Sequence, residues 1–353
     1  MTAVQKFSIY NGKLQRALLD PLFTGPLWWA LAKSPESVKG ALVPVLTSVL
    51  SEEKVPKVAK ALQWLFILGL VAKANRFLSD LALNHWRLSA NKKEWVWDRE
   101  VAVLTGGCSG IGLLVAHGLQ QKGIKVAILD IQPLPKELKG YKNVKYWKCD
   151  VTKPEEIVAT AREIKQIWWA PSILINNAGI GAPHHIIDID HSSLTKIFGV
   201  NIMSHFTTVK EFLPDMLKKN KGHIVEVASL ASFVSIAGIT DYSATKAGVL
   251  AFSEGLNQEL RHRYKSNGVV VTTVHPGWTA TPLVTTYDEA IKKHSGDLLK
   301  PETVADQIVQ QILSCRGAQL VIPRELSVSS AARGWTNWLQ EFLRDTQKGV
   351  TAV

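Results

Sequence analysis

Apolar and polar positions follow one another in two different ways along this chain, and the change falls near Val96. Before it, apolar stretches at residues 26–32, 41–50 and 61–72 are separated by polar ones. Pro21, Pro26, Pro35, Pro44 and Pro56 predict breaks in any long helix there. After Val96, short β-branched runs at 101–105, 125–129, 144–147, 173–176, 223–228, 269–274 and 319–322 alternate with amphipathic stretches at 154–167, 192–219, 242–264 and 301–314. Runs that are apolar at every position suit strands buried on both faces. Strand–helix alternation at this spacing predicts an α/β fold, a Rossmann-like doubly wound parallel sheet of seven strands with helices on both faces. Beyond Pro323 the strand pattern stops, and Trp335, Trp338, Leu339, Phe342 and Leu343 recur at helical spacing. That apolar face suits a membrane, a substrate entrance or an oligomer interface equally well. The expected organisation is a helical N-terminal extension over 1–97, a sheet domain over 98–325 and an amphipathic tail over 326–353.

The strongest apolar run, 61–72, is bounded by Lys60 and Lys73. Twelve residues span about 18 Å as a helix, against roughly 30 Å of hydrocarbon, so an interfacial or re-entrant helix is expected rather than a simple span. A helical extension packed on the core or on a second subunit is the alternative. Composition sharpens this. With 46% hydrophobic and 20% charged residues, the chain has the make-up of a globular protein with a real core. The net charge of +11 raises the question of nucleic acid, but residues 1–97 carry 13 Lys or Arg against 6 Asp or Glu. The same segment holds Trp28, Trp29, Trp64, Trp86, Trp95 and Trp97. Basic residues mixed with Trp and aliphatics fit an anionic membrane surface, not a duplex. Cys108, Cys149 and Cys315 are odd in number and lack metal-ligand spacing, which suggests a reducing compartment without disulfides. The first twenty residues lack the apolar core of a cleavable secretory signal.

The first strand runs into Thr105-Gly-Gly-Cys-Ser-Gly-Ile-Gly112 and then into a helix over 113–121. Glycines at 106, 110 and 112 permit a tight turn and close approach of backbone to a pyrophosphate, which the free N–H groups of the helix start would bind. A glycine triplet alone is weak, but its place between a strand and a helix in the first βα unit makes it specific. Asp130 ends the second strand, eighteen residues after Gly112. A carboxylate there accepts from adenosine ribose hydroxyls and repels a 2′-phosphate, and no Lys or Arg follows directly. NAD is therefore favoured, with NADP left open.

Tyr242-Ser-Ala-Thr-Lys246 begins a helix, so Tyr242 and Lys246 share a face. A phenol with a pKa near 10 is a poor base at neutrality. Moving it towards 7 needs about 4 kcal/mol of phenolate stabilisation, for which a neighbouring ammonium and an oxidised nicotinamide have the right sign. Tyr242 is the expected acid/base. Tyr-x-x-x-Lys alone is common on helices; its company is what counts. Ser229 follows a strand at the carboxyl edge of the sheet, thirteen residues before Tyr242, and Asn176-Asn-Ala-Gly179 follows the fourth strand at the same edge. Asn201, inside a long helical stretch, signals a side-chain or water-mediated contact to backbone.

With these residues in this order, the stretch of about 98–325 resembles the main subfamily of short-chain dehydrogenases/reductases. The resemblance rests on 105–112, Asp130, Asp150, Asn176 to Gly179, Asn201, Ser229, Tyr242, Lys246 and Pro276-Gly277. It implies Asn201, Ser229, Tyr242 and Lys246 as the catalytic set, with Asn201 holding a water that relays protons through Lys246. It implies a cofactor cleft lined by Thr105, Gly106, Ser109, Gly110, Ile111, Gly112, Asp130, Asn177, Ala178 and Gly179. Asp150 and Val151 would meet the adenine, and Pro276, Gly277 and Thr281 the nicotinamide carboxamide. The N-terminal extension is similar in spirit to members acting on retinoids, steroids and other lipid alcohols at the endoplasmic reticulum or lipid droplets, on the cytosolic face.

The segment 278–300 should form a substrate lid, with Trp278, Leu283, Val284, Tyr287, Ile291 and Leu298 as an apolar face; Phe233, Val234 and Ile236 follow Ser229. A lipophilic alcohol, whether sterol, retinoid or long-chain, is the expected substrate. No metal is expected, because Pro183 and Asp188 do not complete a zinc site around His184 and His185. His275 is read as structural, and Cys108 as filling a small space. A homodimer fits the resemblance, and no nucleic-acid partner is expected. Two rivals are a dinucleotide-binding scaffold with little turnover, against which the intact Ser–Tyr–Lys set speaks, and an extended-family epimerase or dehydratase, against which the glycine spacing speaks.

Overall fold

The protein is described by a computed structural model covering residues 18–47 and 51–351. It divides into two compact units between Ala82 and Leu83.

The first unit is helical. Helix α1 (Pro21–Ala32) starts where the sequence places a cap and a proline: the Asp20 carboxylate accepts from the Leu22 amide at 3.0 Å, and Pro21 needs no donor at that position. Helix α2 (Glu36–Thr47) follows. Pro26 and Pro44 lie inside these helices, so the breaks expected there do not occur; those at Pro21, Pro35 and Pro56 do. Helix α3 (Val55–Leu83) runs 29 residues, through Lys60 and Lys73, where a twelve-residue segment was expected. At 1.5 Å per residue it is about 43 Å long. By length and composition it could cross a membrane. It packs on α1 through small residues: a Cβ on Gly25 would lie 2.8 Å from the Phe66 ring, and one on Gly69 would lie 2.4 Å from the Leu19 carbonyl. Lys73 pairs with Asp20 at 2.8 Å.

The second unit is a seven-stranded, all-parallel sheet: β1 (Val101–Thr105), β2 (Lys125–Asp130), β3 (Val144–Lys148), β4 (Ile173–Asn176), β5 (Gly222–Val227), β6 (Val269–Pro276) and β7 (Ala318–Ile322). Its order is β3-β2-β1-β4-β5-β6-β7. Strands buried on both faces require covers on both. Helices α4 (Gly110–Gln121) and α10 (Pro301–Ser314) supply one, through Val115, Leu119, Val304 and Ile308. The other comes from α5 (Pro154–Ile167), α7 (Ser204–Lys219) and α8 (Thr240–His262), through Ile157, Phe212, Met216 and Leu260. Each fully buried aliphatic contributes about 1.5–3 kcal/mol. Residues ahead of β1 belong to this unit because Trp95 inserts into its core beside Trp97.

The stretch expected as one helix over 192–219 is three pieces: α6 (His191–Phe198), a π-helical turn (Gly199–Met203) and α7. The order of strands reverses between β1 and β4, so their carboxyl ends open a crevice, the usual ligand site of an open α/β sheet.

Candidate active site

The turn after β1 is built from its glycines. Gly106 (φ +66°) and Gly110 (φ +53°) hold left-handed conformations that a side chain would strain. A Cβ on Gly106 would stand 2.8 Å from Ala178 Cα, and one on Gly112 would stand 2.1 Å from the Gly106 carbonyl oxygen. Bare backbone therefore fills this turn, and α4 starts at Gly110, three residues earlier than expected, with its first N–H groups facing the crevice edge. Ser109 is the N-cap residue, and its hydroxyl makes no capping bond. Ile111 packs against the core, and Thr281 lies over the turn, where a Cβ on Gly110 would touch its Cγ2 at 3.4 Å. A pyrophosphate fits this donor set by shape and charge.

Thr105 and Asn177 tie β1 to β4. The Thr105 hydroxyl accepts from the amides of Asn177 (3.0 Å) and Ala178 (3.1 Å), and the Asn177 carboxamide donates to the carbonyls of Thr105 (3.1 Å) and Gly106 (2.9 Å). Asp130 is buried at the end of β2, and its carboxylate accepts from the Cys108 amide at 2.8 Å and the Gln132 amide at 2.9 Å. The acid thus anchors the glycine turn from below. Burial and the Asp130 charge push the Cys108 thiol up to about 12, which keeps it protonated and inert. Further along the edge, Asp150 accepts from the Thr152 amide (3.0 Å) and hydroxyl (2.7 Å), bonds that hold its carboxyl below the usual range despite partial burial. Val151 is buried against the second face of the core.

The Tyr–Lys pair sits on the first turns of α8, facing the end of β5. Lys246 is almost fully buried, and its Nζ donates to the Val227 carbonyl at 2.8 Å. Burial draws its pKa down to about 8, against the opposing charge of Glu226. Its ammonium lies 5.6 Å from the Tyr242 ring centroid. Tyr242 is partly exposed to the crevice, yet burial of its hydroxyl raises its pKa, and a hydrogen bond with Ser229 opposes that rise. Desolvation is thus the larger influence on the phenol in the chain by itself, with Ser229 opposing it. Ser229 is held in place from both sides. Its hydroxyl accepts from the Ala231 amide at 3.1 Å, and its carbonyl accepts from His275 Nδ1 at 3.1 Å. Burial lowers the His275 pKa to about 4, so the imidazole is neutral, a positioning group packed on Phe233.

Asn201 stands fully buried in the π turn, where the widened backbone re-aims a side chain. Its Oδ1 accepts from the Ile180 amide at 2.9 Å, and its Nδ2 donates to the Ile180 carbonyl (2.9 Å) and the Thr245 hydroxyl (3.1 Å). This is the backbone contact expected of a mid-helix Asn, made across the loop after β4. Gly179 lies between the parts: a Cβ there would stand 3.5 Å from Lys246 Nζ and 3.7 Å from Asn201 Oδ1. At the neighbouring Gly181 a Cβ would meet the Tyr242 ring at 2.8 Å. The crevice thus brings together 105–112, 177–179, Asn201, Ser229, Tyr242, Lys246 and the loop from Pro276 to Thr281.

Past Gly277, whose amide donates to Ile322 at 2.6 Å, the lid segment is pinned at its root by Ala280–Leu299 and Leu299–Trp278 backbone bonds of 2.9 and 2.8 Å. Val284 and Ile291, the latter on α9 (Asp288–Ser295), form a small apolar cluster with Trp278, Tyr287, Leu298 and Ile236. The tail completes it: Val350 is buried in that cluster, and Thr351 bonds to the Ala237 carbonyl. Trp338 and Phe342, on the apolar face of α11 (Asn337–Asp345), remain exposed. His184 pairs with Asp241 at 3.1 Å and His185 with Asp188 at 3.3 Å, and no metal-competent cluster occurs among the described residues.

Sequence reasoning passed over Glu226 and His205, which form a buried polar cluster with Asn176, and Thr245, which joins Asn201 to the Tyr242 carbonyl at 2.7 Å. A lone acid in the apolar run of β5 was the available signal.

A profile of the family described as short chain dehydrogenase matches residues 100–292. Dehydrogenase RED2 of Cochliobolus heterostrophus is 42% identical over 209 residues, 59% of this chain and 77% of that one. Estradiol 17-beta-dehydrogenase 11 of Macaca fascicularis is 30% identical over 221 residues, 61% of this chain and 72% of that one. Retinol dehydrogenase 10 of Homo sapiens is 41% identical over 130 residues, covering 37% of this chain and 38% of that protein. Among solved structures, the 3-ketoacyl-(acyl-carrier-protein) reductase of Brucella melitensis, complexed with NADH, superposes with a TM-score of 0.58 at 23% identity, over 64% of this chain and 98% of that one.

Proposed function

Because the chain belongs to the short-chain dehydrogenase family, an oxidoreductase family acting on alcohols, we propose that it interconverts a lipophilic alcohol and its ketone or aldehyde, with NAD favoured over NADP. The observation that carries this reading is the meeting of Ser229, Tyr242 and Lys246 beside a turn of bare backbone at Gly106, Gly110 and Gly112 that opens α4 at the crevice edge. When bound, the nicotinamide group supplies the acceptor and donor of hydride.

The chain's residues do the rest. The Ser229 hydroxyl holds the substrate oxygen, and its own position is set by Ala231 and His275. Tyr242 Oη takes the hydroxyl proton in oxidation and returns it in reduction. Lys246, charged below about pH 8, favours the phenolate and reaches towards the nicotinamide ribose. Asn201, with one Oδ1 lone pair left beyond its Ile180 bond, holds the water that links Lys246 to solvent. Gly106, Ser109, Gly110, Ile111 and Gly112 would cradle the pyrophosphate; Ala178, Gly179, Pro276, Gly277 and Thr281 would line the nicotinamide end; Asp150 and Val151 would meet the adenine. Asp130 selects NAD by charge, since a 2′-phosphate would stand beside a carboxylate already fixed by two amides.

Support for a greasy substrate comes from the lid cluster of Trp278, Tyr287, Leu298, Ile236 and Val350, and from relatives named for retinol and estradiol. Support for membrane association comes from α3, which exposes Trp64, Leu68, Val71, Phe77 and Leu78. A cytosolic-face site at the endoplasmic reticulum or lipid droplets suits both. Exposed Met203 and Phe206 give the α7 side an apolar face that a homodimer would cover. The deciding test is Tyr242→Phe against a panel of lipid alcohols and ketones. Turnover is expected to fall by about 10²–10⁴-fold with NADH binding retained; a variant that keeps most of its turnover sinks the mechanism. Wild-type protein that binds NADH and turns over none of the panel would point to the scaffold alternative.

A further inference from the structure

Strand β5 carries two buried polar side chains, His223 and Glu226, of which Glu226 is its one acid and has a defined set of partners. Glu226 is fully buried on the sheet face covered by α7 and α8. Asn176, its register partner on β4, donates from Nδ2 to Oε1 at 2.9 Å. His205 on α7 meets the other oxygen, Oε2, through Nδ1. Both donors are themselves held: the Thr208 hydroxyl donates to Asn176 Oδ1 at 2.8 Å, and Phe252 stands edge-on to the His205 ring at 6.3 Å. The very next residue, Val227, offers the carbonyl to which Lys246 Nζ donates. An isolated buried carboxylate costs several kcal/mol, and nothing in the packing of this strand calls for one. A buried ammonium one peptide away does.

The charged and titratable groups around Lys246 are few. Glu226 precedes on β5 the residue whose carbonyl Lys246 bonds, and His205 on α7 bonds Glu226 in turn. His275 faces Lys246 from β6, kept neutral by burial and by the lysine's own charge. On α8 itself stand Tyr242 and Asp241, the latter turned to His184 and to the Tyr242 amide. Glu226, bonded by Asn176 and His205, is the carboxylate whose charge opposes the effect of burial on the Lys246 ammonium.

Resting on the reading of Tyr242 and Lys246 given above, we propose that Glu226, fixed by His205 and Asn176, is the buried counter-charge that keeps Lys246 protonated at working pH. It is a positioning residue for the Tyr–Lys pair. It touches neither substrate nor cofactor, and it acts through the charge state of the ammonium. Burial draws the ammonium's pKa down to about 8, and the Glu226 charge opposes that fall.

The test compares Glu226→Gln with Glu226→Asp in the full chain, by the pH profile of turnover and by the pH dependence of Tm without cofactor. In Glu226→Gln the alkaline limb should move to lower pH. A shift of about one unit makes the variant about fivefold less active than wild type at pH 8, relative to each plateau, from the fraction of lysine still charged. Glu226→Asp, which keeps the charge, should keep the wild-type limb. In Tm the sign follows from a lysine whose folded pKa lies below its ordinary 10.5: stability rises with pH above the folded value, and in Glu226→Gln that rise starts lower. The Tm of Glu226→Gln relative to Glu226→Asp should therefore increase between pH 7 and 9. If Glu226→Gln does not fold, the double variant Glu226→Leu/His205→Leu removes the whole polar pair with apolar replacement and should show the same two shifts. Superimposable limbs and a flat Tm difference overturn the proposal. A wild type without turnover would instead overturn the catalytic reading, leaving the Tm comparison to decide this one.

Discussion

Adding a single methyl group to Gly112 should disable cofactor binding, and the size of the effect can be worked from the turn itself. The new Cβ would lie 2.1 Å from the Gly106 carbonyl oxygen and 2.5 Å from Asn177 Nδ2. An ordinary C···O contact is about 3.3–3.6 Å, so the backbone must part by about 1 Å or more. Overpacking of this kind costs about 1–3 kcal/mol. The displaced residue, Gly106, is the one whose left-handed turn sets the phosphate-facing backbone, and Asn177 is the tie between β1 and β4. A loss of at least about 1.4 kcal/mol in binding follows, a tenfold weaker Kd. The assay is thermal unfolding with and without NADH. At 100 times its Kd the cofactor stabilises wild type by about 2.7 kcal/mol, and a tenfold weaker variant at the same concentration gains about 1.4 kcal/mol. Gly255→Ala is the control, because a Cβ there meets nothing within 4 Å on the surface of α8. It should raise stability by about 0.5–1 kcal/mol through helix propensity and leave the NADH shift alone. A Gly112→Ala protein that binds NADH as tightly as wild type would refute the cradle.

Three further outcomes are expected. Asp130→Ala should erode the preference for NAD over NADP and lower Tm, because the amides of Cys108 and Gln132 lose their acceptor; an unchanged ratio of the two efficiencies removes Asp130 from cofactor selection. Full-length protein should sediment with membranes at low salt and require detergent for release; recovery in the soluble fraction would defeat membrane association through α3. Acid should destabilise the fold through His223 and His275, whose burial holds their pKa values at about 4. The unfolded chain then binds more protons than the native one between pH 6.5 and 4. Stability falls over that window at about 1.4 kcal/mol per pH unit for each imidazole, and His223→Gln should flatten the fall.

The α/β architecture and the cast of the site were legible because both are written in local pattern. Seven apolar runs at βα spacing admit one kind of sheet, and the strands at 101–105 and 173–176 match the observed ones residue for residue. Gly106, Gly110 and Gly112 marked the turn because no other residue type fits where they stand. Less legible was α3: the Lys60 and Lys73 boundaries suggested a short helix, whereas the flanking turns have enough apolar residues to carry it to 29. The break of 192–219 into α6, a π turn and α7 leaves no compositional trace, because a π turn is one extra residue in a helical run.

What the sequence determined by itself was therefore identity and order: which residues form strands, which turn must be bare, and which Tyr and Lys share a helical face. Tertiary structure alone decided how those residues are charged and held. Tyr242 looked set for a lowered pKa because its neighbour is a lysine, but burial raises it, and the same burial draws Lys246 down. Glu226 read as a stray acid in a strand until α7 brought His205, and β4 brought Asn176, against it. The tail's end joins the apolar cluster at Val350, a contact that no periodicity announced. Periodicity is a property of neighbours along the chain. Desolvation and charge coupling depend on distances across it, and those exist only once the sheet has closed over its helices.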